Sequence, residues 1–171
     1  VTMKWQRMGP LDILGSDKDE NRGTMVSISG DGTRVASIGE AFLSYAVVKV
    51  HEWNSDSQTW TPMSGSFTTA FAISMSRDGK RLAVVKYGNP GYDVIVFEVD
   101  SGGTWSQVGS KMNFAREGMS ETESYGAVAM SADGNRLVVG FPAGTNYGMM
   151  RVYELASDGS TWGQTGGDIN G

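Results

Sequence analysis

Ser131-Ala132-Asp133-Gly134-Asn135-Arg136 is one of three copies of a Ser-x-Asp-Gly-x-Arg pattern, the others running from Ser29 to Arg34 and from Ser76 to Arg81. Each copy lies between two short apolar runs, so each reads as a tight turn joining two β-strands, with Asp and Gly supplying the turn chemistry. The run before the turn alternates large and small side chains, with Val26/Ile28, Ile73/Met75 and Val128/Met130 on one face and Ser27, Ser74 and Ala129 on the other. Small residues on that second face imply a close neighbour there. The runs after the Arg (Val35 to Ile38, Leu82 to Val85, Leu137 to Val139) and the next runs (Val47 to Glu52, Val94 to Val99, Met149 to Leu155) are apolar on both faces for much of their length. Strands of that kind fit sheets stacked face to face better than an open sheet with a wet side.

Tryptophan sets a second phase. Trp5, Trp60, Trp105 and Trp162 are 55, 45 and 57 residues apart, and each is followed closely by Gly9, Gly65, Gly109 or Gly166. With a strand beginning at each Trp, the units contain four short antiparallel strands, the pattern of β-propeller blades. The expected fold is therefore all-β, with blade 1 over about 5–59, blade 2 over 60–104, blade 3 over 105–161, and 162–171 as the start of a fourth blade or a closing strand. A β-sandwich is the competing architecture, though it does not require the fourfold Trp phase. Closed propellers use roughly four to eight blades. Three blades are thus expected to belong to a longer chain, to associate as two sets of three, or to stack as an open array, and a first residue of Val1 suggests a processed chain or a fragment.

The whole-chain figures narrow the classes of function. At 171 residues with 39% apolar content, 24 Gly and 4 Pro, the chain suits one domain of many short strands. A net charge of -5, with its 14 basic residues scattered, argues against a nucleic-acid surface. There is no cysteine, hence no disulfide framework and no thiolate site. No apolar run approaches the roughly 20 residues of a membrane span.

The stretch Ser76 to Ala83, Ser-x-Asp-Gly-x-Arg-Leu-Ala, resembles the TolB-type, WD-repeat-like propeller blade. The third unit, with Asp133-Gly134, Leu137-Val138-Val139-Gly140-Phe141-Pro142 and Arg151-Val152-Tyr153, is also similar to the FG-GAP blade of integrin-type propellers. The tandem form resembles repeats of large surface or secreted proteins of marine algae and bacteria. These resemblances imply a propeller and an extracellular or cell-surface location. The FG-GAP likeness further implies calcium at the motif aspartates, Asp31, Asp78 and Asp133, although FG-GAP loops alternate several carboxylates and each copy here has one acid beside a Ser and a Gly.

Read from the residues alone, each motif Asp is expected to cap its own turn by accepting backbone N–H groups. If each hairpin is symmetric about its loop, Arg34 falls opposite Glu52, Arg81 opposite Glu98 and Arg136 opposite Glu154, giving one cross-strand ion pair per blade that fixes register. Tyr45, Tyr92 and Tyr147 stand 16 residues after their motif serines. Either they line one rim as a binding face, or each packs back on its own blade. Asp19 and Glu121 occupy equivalent places in the long loops, where they either bridge a cation or keep the loops solvated. The single histidine, His51, takes the slot of Phe97 and Tyr153 and reads as a packing residue, which leaves a Ser-His-Asp triad without a base. The expected role is a non-catalytic propeller segment, an interaction or structural module with protein partners or self-association and no cofactor other than a conceivable calcium ion. The alternative is a hydrolase or lyase of the propeller type with acidic residues at the central channel.

Overall fold

In a computed structural model of the chain, residues 4–10, 13, 20–41, 44–65, 67–68, 70–88, 91–114, 126–141 and 148–170 are described. Three antiparallel sheets follow one another along it, and their strands are the apolar runs around the Ser-x-Asp-Gly-x-Arg turns. The first holds β1 (Glu20–Ile28), β2 (Arg34–Ala41), β3 (Ser44–Asn54) and β4 (Thr59–Pro62) in that order, with β5 (Phe67–Thr68) also on β3. The second holds β6 (Ala70–Met75), β7 (Arg81–Tyr87) and β8 (Tyr92–Val99), with β9 (Trp105–Gln107) and β10 (Met112–Phe114) both paired to β8. The third holds β11 (Ala127–Met130), β12 (Arg136–Phe141) and β13 (Met149–Leu155), with β14 (Trp162–Gln164) and β15 (Ile169–Asn170) both on β13. These are β-propeller blades. The outer edge of each is built from two short strands because Gly65, Gly109 and Gly166, at φ +113°, +71° and +76°, turn the backbone out of the ladder.

The sheets correct the blade boundaries read from the tryptophans. Trp60 pairs with Trp53 on β3, Trp105 with Val99 on β8 and Trp162 with Leu155 on β13. Each Trp strand therefore closes the sheet before it instead of opening the next. A tight turn joins it to the preceding long strand, and a chain reversed by a tight turn pairs with the strand it has just left. Accordingly 162–170 complete the third blade and begin no fourth. Residues 4–7, expected as a strand from Trp5 to Met8, join no sheet, and Trp5 is fully exposed.

The sheets stack face to face and form two apolar layers. Ala36, Ile38, Val48 and Val50 of the first meet Ile73, Met75, Leu82 and Val84 of the second. Ala83, Val85, Val94 and Val96 on the opposite face of the second meet Leu137, Val139 and Phe141 of the third. The middle blade is covered on both faces, which is why β7 and β8 read as nearly unbroken apolar runs. Each fully buried Val or Leu contributes on the order of 1.5–3 kcal/mol. The first strands lie side by side, with β6 between β1 and β11. The small residues of these strands make the close contacts: Ser27 Oγ accepts from Met75 N and Ser74 Oγ from Met130 N, both at 3.0 Å. No helix among the described residues is long and apolar enough to cross a membrane.

Candidate functional site

The three motif turns converge at one end of the stacked blades, around a shared recess of about 500 Å³ lined by Gly30, Asp31, Arg77, Asp78, Ala132 and Asp133. Backbone bonds tie the turns together. Gly30 N donates to Arg77 O at 2.6 Å, and Arg77 N donates to Ala132 O at 3.0 Å.

Within each turn the Asp carboxylate is engaged locally. Asp31 Oδ1 accepts from Ser29 Oγ at 2.6 Å and from the amide and hydroxyl of Thr33, both at 2.9 Å. Ser29 Oγ in turn accepts from Arg34 N at 2.9 Å. The same relay joins Asp78, Ser76 and Arg81, and again Asp133, Ser131 and Arg136. The Ser29 hydroxyl, followed by the two Thr33 donors, brings the Asp31 carboxyl down from 3.8 to about 2. For Asp78 burial works to raise the value, but the Ser76 hydroxyl, the Lys80 amide and the Lys80 and Arg81 charges outweigh it, and the net shift is downward. The Ser131 hydroxyl, then the Asn135 amide, lowers Asp133. All three are thus anions at neutral pH and poor proton donors. Their serines donate to carboxylate and accept from backbone, an arrangement that holds a turn and does not activate a nucleophile. Among the described residues no three His, Cys, Asp or Glu side chains gather where a metal ion would need them. Asp19 and Glu121 lie outside the described residues.

The motif arginines lie opposite their glutamates in the ladders, Arg34 to Glu52 at 2.8 Å, Arg81 to Glu98 at 3.2 Å and Arg136 to Glu154 at 3.2 Å. Two of them also reach the next blade, a role that reading along the sequence missed. Arg34 Nη1 donates to Gly79 O at 3.1 Å, and Arg81 Nη1 to Gly134 O at 3.2 Å and to Asn135 Oδ1 at 2.6 Å. A Cβ on Gly79 would stand 2.9 Å from Arg34 Cδ, and one on Gly134 2.8 Å from Arg81 Cδ, so the motif Gly serves the approach of the arginine as well as the positive φ of its own turn. The recurrence of Gly and Arg together in all three copies was the available sign.

At the opposite end of the blades Tyr92 is only 2% exposed, its ring stacked on Phe141 at 5.5 Å and edge-on to Phe71 at 5.2 Å. It joins the second blade to the third and offers no rim surface. Tyr147 and the side chain of Tyr45 lie outside the described residues. Beside Tyr92 is a group that the repeat pattern did not single out: Asp93, nearly buried, accepts from Lys111 Nζ at 3.0 Å and Asn113 Nδ2 at 2.8 Å. His51 is buried on β3. Of the tryptophans, Trp162 is the most enclosed and donates through Nε1 to Val108 O at 3.1 Å, whereas Trp60 and Trp105 are half-buried.

No family model and no curated protein matches the sequence. Solved structures do match in fold. A protein assigned as a 6-phosphogluconolactonase from Bacteroides uniformis aligns over 94% of this chain and 44% of its own, at TM-score 0.59 and 16% identity. The periplasmic gluconolactonase of Pseudomonas aeruginosa aligns over 88% and 43%, at TM-score 0.58 and 17% identity. TolB from Acinetobacter baumannii aligns over 82% and 31%, at TM-score 0.53 and 15% identity. The chain spans less than half the length of each, and at such identity the likeness is one of fold, that of a β-propeller.

Proposed function

We propose that this chain is a three-blade propeller segment acting as a structural and protein-interaction module, without catalysis of its own, in an extracellular or cell-surface setting. The observation that carries this reading is the use of the recurring polar residues. Ser, Asp, Arg and Gly of all three motifs are engaged in holding turns, and the first two arginines also link blades. The depressed motif carboxylates favour it too, because a general acid needs a proton to give near neutral pH.

A second reading, a hydrolase of the lactonase-propeller type, draws on the comparisons, which weigh towards it: two of the solved structures of like fold are described as gluconolactonases, one of them periplasmic. On this reading the chain forms about two fifths of a ring whose reacting groups stand at the central channel. One assay separates the two. Gluconolactone and 6-phosphogluconolactone are incubated with the intact native protein that carries these blades, and acid release is followed against the spontaneous rate. The first reading expects no acceleration. A saturable acceleration that survives repurification would replace it with the second.

A further inference from the structure

We propose that opposite charges on the second outer strands assign each of those strands to its own blade, so that β8 admits a strand carrying a cation and β13 a strand carrying an anion. The inference concerns the internal junction of the second and third blades and rests on neither functional reading. Both outer strands are held by short ladders, β10 along residues 92–94 of β8 and β15 along residues 149–150 of β13. So little backbone pairing is a weak address in a repeat whose long strands share one shape.

Apolar contacts do not discriminate either. Met112 stands opposite Val94 in the second blade and Ile169 opposite Met150 in the third, and each of these outer strands carries an asparagine next, Asn113 and Asn170. The wrong edge is also within reach. The chain leading to β10 touches the outer strand of the third blade, where Ser110 Oγ accepts from Trp162 N at 3.3 Å and Val108 O from Trp162 Nε1 at 3.1 Å. A Cβ on Gly109, between those two residues, would stand 2.6 Å from the Trp162 ring.

Charge is what differs. Lys111 and Asp168 hold the same place, each six residues after the tryptophan of its blade. Lys111 Nζ donates to Asp93 Oδ2 at 3.0 Å, and Asn113 Nδ2 donates to Asp93 Oδ1 at 2.8 Å. Asp168 instead receives both arms of Arg151, Nε on Oδ1 and Nη2 on Oδ2 at 2.7 Å each, together with Gln164 Nε2 at 2.8 Å. The polarity of the pair is thus reversed between adjacent blades. Asp93 is nearly buried, and the Arg151 and Asp168 side chains are 28% and 33% exposed, so solvent screens these charges less than it would on an open surface.

The registers show what an exchange would do. Continued by one residue, they set Lys111 beside Ile95 and Asp168 beside Arg151. With β10 laid on β13 in the equivalent register, Lys111 would stand against Arg151 and would find Met149 where its own blade has Asp93. With β15 laid on β8, Asp168 would stand next to Asp93 and would find Ile95 in place of Arg151. Each exchange loses an ion pair and brings like charges together, which is unfavourable across a sheet. The long strand therefore selects its outer strand by what it repels as well as by what it binds.

The chain has no cysteine, so a disulfide can report where β10 docks. Directly opposed residues of a ladder are close enough to be bridged. The full chain carrying Val94→Cys, Met112→Cys and Met150→Cys is refolded in a glutathione redox buffer, and its bridges are mapped by peptide mass spectrometry. The bridge between positions 94 and 112 should dominate over that between 112 and 150. Adding Lys111→Glu should move the ratio about fivefold or more towards the 112–150 bridge, because that strand now suits Arg151 and not Asp93. Lys111→Gln, which removes the charge without reversing it, should move the ratio less. Arg151→Glu on top of Lys111→Glu should take the ratio back, since the wrong edge then repels as well. A ratio indifferent to Lys111→Glu, a shift that Arg151→Glu leaves in place, or loss of both bridges on charge reversal would each overturn the proposal.

Discussion

At the motif, one aspartate oxygen gathers the hydroxyl two residues before it and the amide two residues after it, and the consequences follow from charge and geometry. The folded state holds Asp31 at about 2 where the ordinary value is 3.8. Between those values the unfolded chain binds more protons, so the stabilisation is complete above about 3.8 and disappears as pH falls through about 2. Asp31→Asn should therefore melt below the parent protein at pH 7, with the two melting curves converging towards pH 2. A gap that stayed constant with pH in circular-dichroism melts would show that the carboxylate charge is not what holds the turn. The motif glycine gives a second test. Gly79 and Gly103 have φ of +68° and +83°, but only Gly79 also faces an arginine and a serine from the neighbouring blade, Arg34 Cδ at 2.9 Å and Ser29 Cβ at 3.0 Å. Alanine at Gly103 should cost about 1–2 kcal/mol for the left-handed conformation alone. At Gly79 it should cost about 1 kcal/mol more or beyond, from crowding at the junction. Equal losses in urea titrations would remove the arginine from the account.

Among the elements, the outer-edge strands separate what looks alike in sequence. The four tryptophans that set the repeat phase, Trp5, Trp60, Trp105 and Trp162, share one pattern with a following glycine, yet Trp162 is 6% exposed with its Nε1 bonded to Val108 O, while Trp5 lies free of any sheet. Trp162→Ala should cost about 3–5 kcal/mol as a large core truncation. Trp5→Ala should stay within about 0.5 kcal/mol of the parent. Similar losses at both sites would mean that residues 4–7 are held in a sheet after all. The ladder of each hairpin was legible because alternation and a symmetric turn force Arg34 opposite Glu52, and likewise in the other blades. The sheet to which each Trp strand belongs was not, since a repeat has the same period wherever it is cut. Tyr92 shows the same limit: its place in the loop could be counted, but burial depended on Phe141 arriving from the next blade.

For the molecule as a whole, three stacked sheets make the middle one the most protected. Ala83, Val85, Val94 and Val96 have no solvent exposure, and the second blade is packed on both faces. In a stack where each unit contacts only its neighbours, the end units open first. Hydrogen exchange followed by mass spectrometry should find the slowest amides in β7 and β8, with β1 and β11 exchanging sooner. Uniform protection across the three blades would contradict nearest-neighbour stacking. Local chemistry, alternation of apolar residues and the Asp-Gly turn, was enough to specify strands, hairpins, their register and the class of fold, because each depends on residues close in the chain. Which face of a sheet is covered, which strand closes which blade, and the reach of Arg34 and Arg81 to glycines 45 and 53 residues away came from the packing alone. Those contacts join atoms whose separation in space no spacing along the backbone encodes.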